Sequence, residues 1–393
     1  MTDPFAERAS LQADQRIAKQ VAFNMRRALG EDQTEEIDRL AAAFDFEAAR
    51  GFYWNPPEFS FLWGTPLWDQ ASEDQRRSLN HIYWAAYYAQ ITSAEIATIF
   101  FNQIAAAGLY GAGNDFRPLC DTLDLETRQE RAHINAFRTV GEKVERALFG
   151  ARLFTYAMRG PYAETMVFGP AGSLKRWWRS AQIRAFAAFA PDRPTLAAHY
   201  LMIRGIRTLN GKMIQERLAK HIEAFQGYEN APIPARISKA HYTDESYHFN
   251  TSRIMSHEVP KLLPAADALE RMAINRAVDG CQLDHTPFSV AINGIFWHDP
   301  ALYEACLTLF RSPTFGMDER EAREMLRRCF TEESEGFHAS ATSHHTAVDN
   351  YRAYVEKTEL LTPANREMRR MSASDLASRL RVNKAAYQRR FAH

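Results

Sequence analysis

Helical periodicity runs through almost the whole chain, and the apolar–polar alternation of a half-buried strand is nearly absent. An all-α fold is therefore expected. Ser72 followed by Gln75 forms a capping-box pattern, so a long helix should begin there and run to about Ala107. The stretch from Gly108 to Asp115 carries turn residues, and a second helix should follow from about Arg117 to Leu148. Gly160, Pro161, Gly169, Pro170 and Gly172 mark residues 159–172 as a crossover. Pro194 suits the first position of a third long helix, extending toward Phe225. Gln226 to Pro232 closes it, and a fourth should run from about Pro234 to Ser256. Shorter helices are expected over 260–280 and 300–310, with a longer one from Asp318 to about Ser343. The 393 residues read as a single helical domain, with two hairpins over about 72–256 and a helical extension over 257–393.

Each hairpin carries a Glu-x-x-His step on its second helix, Glu130/His133 in the first and Glu245/His248 in the second. Residues three apart share a helix face, so one pair can reach one metal ion. A single such step is common by chance. Two on the matching helices of two hairpins fit a four-helix di-iron carboxylate site, in which the two remaining helices each add a glutamate. In an antiparallel hairpin, residues at one height lie symmetrically about the turn. Glu95 mirrors Glu130 about Gly111–Gly113, and its neighbours Ile91, Ala94 and Ile99 are apolar. A carboxylate buried there is costly unless paired or metal-bound. In the second hairpin Glu216 mirrors Glu245 about Asn230–Pro232, while Glu223 is less well centred. His241 extends the stripe as His-x-x-x-Glu-x-x-His. The candidate ligands are thus Glu95, Glu130, His133, Glu216, His241, Glu245 and His248. Asp244 and Asp121 are candidates for hydrogen bonds to the ligand histidines. Tyr87, Tyr88, Phe100, Phe101 and Tyr247 are candidates for a pocket wall, although core packing is the more ordinary use of each.

This pattern of residues resembles the di-iron N-oxygenases typified by p-aminobenzoate N-oxygenase, over about residues 80–256. The resemblance implies a ferritin-like fold with additional N- and C-terminal helices, oxidation of an amine or arylamine, and a homodimer. Carboxylate-rich ligation suits two iron ions, with an iron–manganese pair left open, and O2 as co-substrate. The added nitrogen of His241 is expected to favour attack on an electron-rich nitrogen over C–H chemistry. Rival readings are a C–H hydroxylase, a desaturase or a C–C-cleaving oxidase on the same scaffold, a non-catalytic iron-binding protein, and a metal-free interaction protein.

Other features bound the partners. Lys+Arg and Asp+Glu number 48 each, so nothing favours nucleic acid. No apolar run is long enough to span a bilayer, no signal peptide is visible, and the four cysteines lack CxxC spacing, so a cytoplasmic protein is expected. There is no GxGxxG, Walker loop, HExxH or GxSxG motif. Reducing equivalents should come from an external electron donor, and the substrate should be a small amine or a carrier-bound molecule. A third step, Glu335/His338, lies in a polar stretch and reads chiefly as a solvated face.

Overall fold

The computed structural model describes residues 9–151, 174–292 and 300–391. Among them there is no strand, and no helix is long and apolar enough to cross a membrane. Two helices, α1 (Gln15–Gly30) and α2 (Thr34–Ala43), lead in, with the Asp14 carboxylate accepting from the amides of Arg16 and Ile17.

Four long helices follow in two hairpins: α3 (Glu73–Ala112) with α4 (Arg117–Phe149), and, after α5 (Leu174–Phe189), α6 (Pro194–Lys220) with α7 (Ile233–His257). The capping box at Ser72 and Gln75 opens α3 as expected. That helix runs beyond Ala107, because Gly108 serves a close approach and not a turn. A Cβ there would lie 2.8 Å from the Ala190 carbonyl oxygen and 2.9 Å from Cβ of Ala197. The chain reverses instead at Gly113. The expected crossover over 159–172 lies outside the described residues.

The C-terminal part differs from expectation in two places. Residues 268–292 form one helix, α8 (Ala268–Ile292), which packs over α6. After α9 (Tyr303–Phe310), the helix expected from Asp318 is two, α10 (Glu319–Thr331) and α11 (Glu335–Val355). The break coincides with a tight backbone contact in which the Gly336 amide donates to the Gly64 carbonyl at 3.1 Å. Gly64 has φ +64°, and a Cβ on it would meet Gly336 N at 2.7 Å. The last helix, α12 (Leu376–Phe391), lies on α10.

The hairpins pack side by side, α3 against α6 and α4 against α7, while α1 lies on α7 and α2 covers α4 and α7. The largest apolar cluster joins Trp54, Trp84, Tyr87, Tyr88 and Phe137, which fill the space at one end of the four long helices. A second cluster lies around Leu109, Phe116 and Leu201, toward the other end. Between the two, the interior turns polar.

Candidate metal centre

Residues three, four and seven apart on a helix project from one face. By that spacing α7 aims His241, Glu245 and His248 inward. Opposite them α4 presents Glu130 and His133, and α3 contributes Glu95. All six are buried. Their ligating atoms form two overlapping groups, each within 4.8 Å: Glu95, His133, His241 and Glu245 in one, Glu130, Glu245 and His248 in the other. Glu245 belongs to both. The Nδ1 of His133 lies 3.5 Å from Glu95 and 3.3 Å from Glu130, and Nε2 of His241 lies 3.3 Å from Glu95. The Nδ1 of His248 lies 3.0 Å from Glu245 and 3.4 Å from Glu130.

Outer partners set which ring nitrogen faces inward. The Nε2 of His133 donates to Asp244 Oδ2 at 3.0 Å, and Nε2 of His248 donates to Gln129 Oε1 at 2.9 Å. Gln129 in turn donates to Asp244 Oδ1 at 3.1 Å and to Asp32 Oδ1 at 3.2 Å, and the Gln33 amide also donates to Asp244. Both rings are therefore held with N–H outward and the Nδ1 lone pair toward the cluster, the state a metal ion requires.

A donor set this dense needs a cation. Both oxygens of Glu95 and both ring nitrogens of His241 have no hydrogen-bond partner, and buried polar groups left so are expensive. Without metal, protons take that part. Burial, and next the Glu95 charge, lift the Glu130 carboxyl to about 7. Burial alone would lower His248, but Glu245 and Glu130 outweigh it and raise the ring to about 9. Burial opposes ionisation of Glu245 as well, yet His248 and His241 hold it well below the carboxylate range. Carboxylate oxygens with inward imidazole nitrogens fit divalent transition metals, and the cluster can hold metal.

Beside it sits a second buried device. The Arg204 guanidinium on α6 donates to Glu126 at 2.7 Å and Asn102 at 2.9 Å, to Ser252 Oγ at 2.8 Å and to the His248 carbonyl at 3.1 Å. One side chain thereby ties α6 to α3, α4 and α7 at the level of the centre. Sequence reasoning missed Arg204, Glu126 and Gln129. The available signal was Glu126, one turn before Glu130 on the same face.

The cluster forms the floor of a cavity of about 490 Å³. Its walls are mostly apolar, among them Ile91, Phe101, Phe186, Leu196, Tyr200 and Ile203. Trp178, Phe189, Leu269 and Met272 also line it, and all four are exposed. The space thus connects buried ligands with an apolar rim.

Over residues 16–391 the sequence matches the family model described as acyl halogenase, CylC-like. The chain belongs to the CylC-like acyl halogenase family. No curated protein and no solved structure gives a significant match.

Membership in the acyl halogenase family overturns the resemblance to the di-iron N-oxygenases and, with it, the expected N-oxygenation of an amine. The cause of the error is physical. A Glu-x-x-His step is imposed by metal coordination on a helix, so it reports the donor set and not the reaction.

The remaining expected residues fall into place or out of it as follows. Glu216 is outside the cluster, on another face of α6, with its side chain 43% exposed and paired to Lys220 at 2.7 Å. Glu223 is exposed in the turn after α6. Asp244 bonds His133, whereas Asp121 faces outward, 3.6 Å from Arg117. Phe101 lines the cavity, and the Tyr88 ring stands 5.6 Å from that of His241. Tyr87 is buried against Tyr88, while Phe100 lies against Phe101, and Tyr247 points to Glu31. Glu335 and His338 are exposed, and His338 pairs with Glu333 at 2.8 Å.

Proposed function

We propose that this chain is an oxidoreductase that replaces a C–H bond of an acyl group with a carbon–halogen bond, using two iron ions and O2. Glu95, Glu130, His133, His241, Glu245 and His248 would hold the ions, with Glu245 between them. Glu216 is left out of this set by its exposure and its ion pair. The observation that carries the reading is a buried three-carboxylate, three-histidine cluster at the floor of an apolar cavity, in a chain of the acyl halogenase family. The paired hairpins are consistent with a ferritin-like arrangement of the four long helices.

When bound, the metal pair supplies the redox capacity to activate O2. Dioxygen takes up four electrons and leaves as two waters. Two of the electrons come from joining the C–H carbon to the halide, and two from an external one-electron donor such as a reduced ferredoxin. The protein's own groups do the rest. The apolar walls orient the acyl chain and exclude water from the reacting carbon. Asp244 and Gln129 keep the two histidine lone pairs inward. Arg204 fixes the four helices in register. The acyl group is free or carrier-bound, its chain entering past the rim at Trp178 and Met272.

The test is product analysis. Protein loaded with ferrous iron is given O2, a reductant, chloride or bromide, and acyl thioesters of graded chain length. The expected product carries one halogen in place of hydrogen, with the bromide isotope pattern when bromide is supplied. Oxygen insertion with no halogen incorporation under every halide would overturn the reading.

A further inference from the structure

The lining of the cavity contains two guanidinium groups, those of Arg204 and Arg276. Arg204 is fully committed, to Glu126, Asn102, Ser252 and the His248 carbonyl. Arg276 is exposed, and among the described residues it has neither a hydrogen bond nor an ion pair. Its own helix offers no free acid. Three and four positions away stand Met272, Ala273, Asp279 and Gly280. Asp279 is the one carboxylate among them, and Arg370 holds it at 2.6 Å. Glu270, further back, accepts from the Asp267 amide at 2.8 Å. Arg276 nevertheless belongs to the face of α8 that lines the cavity, because Leu269, Met272, Ala273, Arg276 and Ala277 follow one another at helical spacing. An apolar stripe thus carries one cation that nothing neutralises, within reach of solvent.

We infer that Arg276 anchors an anionic head group of the acyl substrate, so that the head stays at the rim and the hydrocarbon part enters the cavity. This rests on the proposed acyl-modifying function. The walls formed by Ile91, Phe101, Phe186, Leu196 and Ile203 offer only carbon, and a charge buried among such groups is costly unless it is paired. The other guanidinium in the lining, on Arg204, already has its acceptors. At the rim Arg276 can pair the charge where water still reaches it. Met272 and Leu269, one and two turns back on the same face, are exposed apolar side chains that can cover the chain beside the head. A guanidinium grips a carboxylate or a phosphate through two parallel N–H groups. The chemistry it selects is therefore an oxyanion joined to a long apolar chain. Two sources supply it: the carboxylate of a free acid and the phosphate of a phosphopantetheine thioester.

The experiment measures binding by calorimetry on the cobalt(II)-loaded full chain, in wild type, Arg276→Gln and Arg276→Lys. Two pairs of probes share one chain and differ in head charge: dodecanoate against dodecanol, and dodecanoyl phosphopantetheine against its dephosphorylated form. Wild type is expected to bind the charged member of one pair about fivefold more tightly, the upper range for an ion pair still open to water. Arg276→Gln should lose that preference and bind the neutral member as wild type does, while Arg276→Lys should keep most of it. The pair that responds names the head group. Circular dichroism should show unchanged helix content in both variants, since the side chain is exposed and has no partner to lose. The cobalt visible spectrum should be the same with either member of the pair, because the head lies away from the ions. Equal binding of charged and neutral members in wild type, or a preference that survives in Arg276→Gln, overturns the anchor while the acyl reading stands. If no chain binds, charged or neutral, the acyl reading fails and the anchor with it.

Discussion

Asp244 accepts a hydrogen bond from Nε2 of His133 at 3.0 Å, and Gln129, bonded to the same carboxylate, accepts one from Nε2 of His248. Two histidines on facing helices are thus held in one protonation state by one linked set of outer groups. Asp244→Asn can turn its amide NH2 toward His133, which would place the ring N–H inward and block coordination. Metal affinity is expected to fall by about 10- to 100-fold, with helix content unchanged. Competitive metal titration and circular dichroism check this. Unaltered affinity would show that Asp244 does not set the tautomer.

Removing Arg204 attacks the structure and not the metal directly. Arg204→Met leaves the Glu126 carboxyl buried without its cation, in a place where both side chains are almost wholly covered. The expected loss of stability is about 3–5 kcal/mol, measured by denaturant unfolding of metal-free protein. Arg204→Met combined with Glu126→Leu should recover much of that loss, since the stranded carboxyl goes with its partner.

Stability and metal binding should respond to pH in opposite directions. Glu130 is raised to about 7 and His248 to about 9 in the metal-free chain. For raised groups the stabilising contribution is whole below the unfolded values and is lost as pH climbs through the folded ones. Glu245, held low, loses its contribution only on acidification below the ordinary carboxylate range. The melting temperature of metal-free protein should therefore fall as pH rises from about 6 to about 9. Over the same interval metal displaces those protons more easily, so the metal-induced rise in melting temperature should grow. Thermal melts with and without cobalt across this range decide it, and a pH-independent metal effect contradicts the assignment of Glu130 and His248 as ligands.

Glu216→Gln serves as the counter-test for the ligand set. The side chain is 43% exposed, and its bond to Lys220 is a surface ion pair. Stability should change by less than about 1 kcal/mol, and metal content by elemental analysis should match wild type. Glu130→Gln should lower that content. Loss of an ion in Glu216→Gln would return the residue to the centre.

Much of this architecture was legible in the residues. Ser72 with Gln75, and Pro194, mark helix starts by local chemistry that needs no tertiary context, and both hold. Symmetry about the first turn brought Glu95 level with Glu130, because a single short 3-10 turn, Asn114–Phe116, joins α3 to α4, whereas the second hairpin has two such turns. The same argument failed for Glu216. The 3-10 turn at His221–Ala224 shifts the phase of the second hairpin, so a one-residue error rotated the choice off the inner face. Gly108 misled as a turn residue because its use, contact with Ala197, is visible only once α6 is in place. Arg204 escaped notice for a similar reason, since its acceptors come from three other helices.

The shared carboxylate of Glu245 has a consequence for assembly. Because the same side chain belongs to both groups of donors, an ion held by one group would fix the rotamer that the other group must use. In the proposed di-metal centre the two seats would therefore not fill independently: occupancy of one would change the affinity of the other.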